Sequence, residues 1–118
     1  MAIYPYGAIK IKRGDSWPIA VTVRIDGRPI EDTEDIEVFE LTFGGVPYAW
    51  KSDGTGRVTW DAEEKAFVFW PTQEETFALQ TPTDSIDWRV KFTSGIVDGG
   101  KTGKIPVYVV ESDSSEVL

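Results

Sequence analysis

The sequence predicts an all-β domain: a β-sandwich of seven or eight antiparallel strands with one short helical turn. Three observations predict it. Apolar side chains recur at every second position in two long segments, turn dipeptides punctuate the chain roughly every ten residues, and a single segment carries a helix-start signal.

A short strand over residues 9–12 opens the domain. In Trp17-Pro18-Ile19-Ala20-Val21-Thr22-Val23-Arg24-Ile25 the odd positions are Trp, Ile, Val, Val and Ile, the period of a strand with one buried face. At ~3.3 Å per residue that strand spans roughly 30 Å. It ends at Asp26-Gly27, where glycine supplies the positive φ of a tight turn. Weaker strands come next over residues 36–43, 46–51, 57–61 and 66–70, separated by Gly44-Gly45 and by Asp53-Gly54-Thr55-Gly56. Thr72-Gln73-Glu74-Glu75 has the capping-box pattern, in which the Thr hydroxyl and the Glu carboxylate each satisfy a backbone N–H at the helix start. Between Pro71 and Pro82 the helix has room for about two turns, with Phe77 and Leu79 facing inward. Period two returns in Ser85-Ile86-Asp87-Trp88-Arg89-Val90-Lys91-Phe92. The last strand, residues 104–110, contains Pro106, which cannot donate to a ladder and so belongs at an edge or a bulge. The domain core is thus expected over residues 9–110, with a polar tail, residues 111–118, after it.

The 118 residues make one domain, long enough to bury a core without metal or disulfide staples. Histidine and cysteine are both absent, which removes Ser-His-Asp and Cys-His catalysis, disulfides and the usual zinc sites. A formal charge of -8 repels phosphate backbones, so nucleic acid is not an expected partner. No apolar run approaches the ~18 residues of a membrane span, and the start, Met1-Ala2-Ile3-Tyr4-Pro5-Tyr6, lacks the basic and apolar regions of a signal peptide.

Several motifs invite a chemical reading and each has a plainer one. Gly95-Ile96-Val97-Asp98-Gly99-Gly100-Lys101-Thr102 fits the phosphate-binding P-loop pattern, but that chemistry needs a helix directly after it, and Gly103-Lys104-Ile105-Pro106-Val107 is strand-like. A glycine-rich hairpin loop is the expectation. Arg13-Gly14-Asp15 matches an integrin-binding tripeptide, yet Gly-Asp between strands is an ordinary turn. The acidic run Glu31-Asp32-Thr33-Glu34-Asp35 lacks the central glycine of a calcium loop and reads as a solvated loop. Glu63-Glu64 reads as a hairpin tip rather than a carboxylate pair in a cleft. Of the five tryptophans, Trp17 and Trp88 fall on the apolar side of their strands and are expected in the core. Tyr48, Trp50 and Trp60 form the candidate contact patch, since exposed aromatics mark interfaces.

Three stretches carry a family resemblance: Ile11-Lys12-Arg13-Gly14-Asp15-Ser16-Trp17 with Asp26-Gly27-Arg28-Pro29-Ile30; Trp70-Pro71-Thr72-Gln73-Glu74-Glu75-Thr76-Phe77-Ala78-Leu79 with Ile86-Asp87-Trp88-Arg89-Val90; and Gly103-Lys104-Ile105-Pro106-Val107. In this order they resemble the N-terminal domain of phage baseplate upper proteins and related small modules of tailed-phage particles. The resemblance implies an immunoglobulin-like β-sandwich that docks on other particle components and has no enzymatic activity. It also implies that Gly14-Asp15 is a turn, that Thr76 and Leu79 anchor the helical turn, and that Trp88 is core. Baseplate upper proteins continue into a long receptor-carrying region, whereas this chain stops at Leu118, so the resemblance implies docking without receptor carriage.

The expectation is therefore a structural or assembly module of a phage virion (tail, baseplate or head-tail region), assembled in the host bacterial cytoplasm. Its partners would be phage structural proteins or further copies of itself, and no cofactor, metal, nucleic acid or membrane is implied. The alternative is a carbohydrate-binding β-sandwich module using Tyr48, Trp50 and Trp60.

Overall fold

In the computed structural model the described residues are 2–3 (backbone only), 9–99 and 104–118. They form an all-β structure with one short helix. In chain order the strands are β1 (Ala2–Ile3), β2 (Ile9–Lys12), β3 (Ile19–Val21), β4 (Arg24–Ile25), β5 (Arg28–Pro29), β6 (Ile36–Phe43), β7 (Val46–Lys51), β8 (Val58–Asp61) and β9 (Ala66–Phe69). Helix α1 (Gln73–Phe77) comes next, then β10 (Thr83–Phe92), β11 (Val97–Asp98) and β12 (Ile105–Val110). A four-stranded sheet has the order β1-β3-β9-β8, a six-stranded sheet the order β2-β12-β10-β6-β7 with β11 beside β10, and β4-β5 is a separate hairpin.

The two larger sheets share one core. Alternation on β10 turns Ile86, Trp88 and Val90 inward, and β12 adds Ile105, Val107 and Val109. From the four-stranded sheet, Phe67 and Phe69 point back at them. Phe39 and Phe67 stack across the gap with ring centroids 4.0 Å apart and planes 1° from parallel, while Phe43 meets Phe69 edge-on at 5.6 Å. Each such aromatic pair adds roughly 0.5–1.5 kcal/mol beyond the area it buries.

Several expectations need correction. The chain has twelve short strands among the described residues, not seven or eight, and they are not all antiparallel: β1 pairs β3, and β12 pairs β2, in parallel. Parallel pairing between strands distant in sequence is a matter of sheet order, which alternation does not encode. The long strand expected from Trp17 to Ile25 is broken. Its middle forms β3, and Arg24–Ile25 turns away to pair with Arg28–Pro29. Alternation survives the break because Val23 and Ile25 fold onto the same core, and Ile30 N donates to Val23 O at 3.2 Å. The Asp26-Gly27 turn is as expected, both residues having positive φ (52° and 78°). Helix α1 has five residues, closer to one turn than two.

Pro106 sits in an inner strand rather than an edge one, for a geometric reason. Val109 N donates to Pro82 O on the β10 side, so period two aims the nitrogen of Pro106 at the opposite side, towards β2. The described β2 ladder begins only at Ile9↔Val107, one residue later, so the missing N–H leaves no described bond unmade.

Phe67 touches rings from both sheets, so Phe67→Ala should be the costliest single truncation here. The expected loss is about 3–5 kcal/mol of unfolding free energy, read from urea titrations of the variant and the parent.

Candidate functional site

The expected contact patch is not assembled as an exposed surface. Position parity places Val46, Tyr48 and Trp50 on the inner face of β7, opposite Phe43, Leu41 and Phe39 of β6. Tyr48 is buried, 1% exposed, against Phe69. Trp50 and Trp60 are half-buried and clasp Phe67 from two sides, at 5.9 and 4.8 Å between centroids. Together they pack against the core from the edge strands β7 and β8, each of them partly open to solvent. Trp88 is core at 4% exposure, and Trp17 packs on the core half-buried. The most exposed tryptophan is Trp70, at 59%, which sequence reasoning did not single out. Its signal was available: with Phe67 and Phe69 turned inward, period two turns Trp70 outward.

The other end of the core is closed by α1. Thr72 accepts from Glu75 N at 3.2 Å and Glu75 Oε1 accepts from Thr72 N at 2.8 Å, completing the capping box. Glu75 also receives Arg57 in a two-pronged pair at 2.7 and 2.8 Å, and the Arg57 guanidinium lies 4.4 Å over the Tyr48 ring. Hydrogen bonding from Arg57 holds the Glu75 carboxyl down at about 2. Burial, together with the neighbouring Glu75 carboxylate, pushes the Tyr48 phenol well above its usual range. The Tyr48 hydroxyl has no partner of ordinary hydrogen-bond geometry among the described residues.

Arg13-Gly14-Asp15 is consumed by this same closure. The Arg13 side chain donates to Phe77 O and to Glu111, Gly14 N donates to the Thr76 hydroxyl at 2.9 Å, and that hydroxyl donates to Asp15 O at 2.8 Å. The Asp15 carboxylate accepts from Lys12 N at 3.0 Å. Gly14 is required: φ is +88°, and a Cβ there would meet the Phe77 ring at 2.6 Å. Thr76, fully buried, and Leu79 anchor the helix as expected. The tripeptide is thus a clamp of the fold, with both charged side chains engaged internally.

The remaining motifs also resolve into turns. Gly95, at φ +94°, shapes the β10–β11 hairpin, and the next described element after the P-loop pattern is β12, a strand. Lys101 and Thr102 lie outside the described residues. In the acidic run, Asp32 accepts from Glu34 N, and Glu31 pairs with Lys65. Glu63 and Glu64 sit at the β8–β9 tip, where Asp61 accepts from both of their N–H groups at 3.1 Å. Among the described residues no cluster of three acidic side chains is placed to hold a metal ion. A shallow depression of about 140 Å³ on the outer face of the six-stranded sheet is lined by Glu40, Thr42, Asp87, Trp88 and Arg89. Arg89 is already bonded to Glu40 there at 2.8 Å.

Besides Trp70 and the terminal Val117 and Leu118, the described surface exposes apolar side chains on β12 and at the β10–β11 hairpin. On the outer side of β12, Tyr108 and Val110 are 53% and 47% exposed, beside Pro106. At the β10–β11 hairpin, Ile96 and Val97 are 63% and 57% exposed. Period-two reading missed the first because residues 107–110 are apolar on both faces. No family model matches the chain, and neither does any curated protein.

Glu75 makes the closure pH-dependent. Its folded value, about 2, lies below its ordinary 4.5, so the stability it contributes is complete above about pH 4.5 and drains away as pH falls through about 2. Arg57 is partly solvated, which screens the pair. Urea unfolding of the parent should therefore lose on the order of 1–2 kcal/mol more across that window than Glu75→Gln does.

Proposed function

We propose that this chain is a non-enzymatic structural or assembly module of a bacteriophage particle, an immunoglobulin-like β-sandwich that acts by docking on other proteins of the tail, baseplate or head-tail region. One observation carries the docking reading. Large apolar side chains stand exposed on the outer side of β12 and on the β10–β11 hairpin, while the inward positions of the same strands are filled. Exposed Tyr, Val and Ile on an ordered sheet and hairpin are suited to covering by another protein.

The phage setting is supported by the pattern of Ile11 to Trp17, Trp70 to Leu79, Ile86 to Val90 and Gly103 to Val107. The two-sheet core around Phe39, Phe67 and Trp88 and the α1 closure through Thr76 and Leu79 are compatible with that pattern. The sugar-binding alternative loses support. It needs a flat aromatic platform, and Tyr48 is covered while Trp50 and Trp60 grip Phe67.

Mass spectrometry of gradient-purified particles from a host strain encoding this chain tests the proposal. The chain should be present at a fixed stoichiometry to the tail proteins, with tail or capsid genes adjacent to its own. Its absence from particles, with neighbouring genes of unrelated metabolism, would remove the phage assignment.

A further inference from the structure

The outer face of the six-stranded sheet is divided in two. Across β6 and the second half of β10, charges are cross-paired: Arg89 with Glu40 at 2.8 Å and Lys91 with Glu37 at 3.7 Å. Across β12 and β2 the surface is of another kind. Pro106, Tyr108 and Val110 form an apolar strip, and the parallel register sets Lys10 beside Tyr108 and Lys12 beside Val110, all facing outward. Neither lysine makes an ion pair with a described residue. Lysine on an edge strand by itself is a common guard against strand pairing. Here the lysines frame exposed Tyr and Val side chains, so the surface they border is both apolar and positively charged.

The same chain carries the complementary surface elsewhere. The β10–β11 hairpin presents Ile96 and Val97, and Thr93 N donates to Asp35 O, which binds the acidic loop to the hairpin. Asp35 is exposed at that junction, and Asp32 and Glu34 are exposed in the same loop. β10 runs from Thr83, the partner of Tyr108, to Phe92 below the tip, so the two surfaces lie roughly 30 Å apart along a molecule 47 Å long. One copy cannot bring them together; two copies can.

We propose that the chain self-associates head to tail. The Ile96–Val97 tip of one copy seats on the Tyr108–Val110 strip of the next, with Asp32, Glu34 and Asp35 facing Lys10 and Lys12. Such a contact joins two different patches, so each copy added leaves one tip and one strip free. Growth then closes into a ring or continues as a filament, according to the rotation between copies. The proposal rests on the docking reading above and names the partner as a second copy.

Sedimentation velocity on the full chain tests it. The parent should form species larger than 13.2 kDa as concentration rises, and raising salt from about 0.05 to 0.5 M should weaken association about tenfold or more. A tip variant (Ile96→Ser with Val97→Ser) and a strip variant (Tyr108→Ser with Val110→Ser) should each be monomeric, with circular dichroism unchanged. Mixed one to one, they should form a dimer and stop, because one intact tip meets one intact strip. Lys10→Glu with Lys12→Glu, which leaves the apolar strip whole, should also abolish association. A parent that stays monomeric at every concentration overturns the proposal, as does a mixture of the two variants that does not pair. If the parent is monomeric yet present in purified particles, the second copy is excluded as partner while the docking reading stands; absence from particles bears on the phage setting alone.

Discussion

The stacked pair Phe39–Phe67 is the contact on which the rest of the molecule depends. Phe39 belongs to an inner strand of the six-stranded sheet and Phe67 to an inner strand of the four-stranded one, and the stack brings side chains of the two inner faces into van der Waals contact. Trp50 and Trp60 are placed by it. Both lie at sheet edges, on β7 and β8, and both turn in to cover Phe67. Trp88 approaches Phe39 at 6.3 Å from the next strand, extending the aromatic layer across the larger sheet. An aromatic cluster of this kind lets a chain without disulfides hold two thin sheets together, because each ring buries a large apolar area with little side-chain entropy to lose.

A second set of contacts closes one end. Helix α1 is too short to be stable alone, and its order comes from what surrounds it. The Thr76 hydroxyl bonds the Gly14–Asp15 backbone, Arg57 reaches Glu75 from the β7–β8 connection, and Glu111 joins Arg13 to Thr81. Polar groups that sequence motifs offered to a receptor are thus occupied in holding the end of the fold. Apart from Trp70 and the C-terminal Val117 and Leu118, the apolar side chains most open to solvent among the described residues stand on the outer face of β12 and on the β10–β11 hairpin, the two surfaces suited to docking.

The all-β class was legible because β10 alternates cleanly and because glycines mark the turns, most of them with positive φ in the structure. The capping box was legible because it is local. The features that were not legible depended on more than one strand. Parallel pairing of β12 with β2 is decided by where the chain returns, and the break after Val21 is hidden because Val23 and Ile25 keep facing the core through it. Ile36 faces inward out of step with Phe39 because the ladder slips between Lys91 and Phe92. Tyr48 reads as a surface residue among its aromatic neighbours, although its shared parity with Val46 and Trp50, against Pro47, Ala49 and Lys51, puts it inside. The strip of Tyr108 and Val110 was invisible because alternation carries no information where both faces are apolar.

Two-dimensional nuclear Overhauser spectroscopy of the chain tests the central claim most directly. Facing sheets predict strong cross-peaks between the ring protons of Phe39 and Phe67, and between the Trp50 indole and Phe67, both of them contacts from one sheet to the other. Absence of those cross-peaks, in a sample whose amide spectrum is well dispersed, would contradict it.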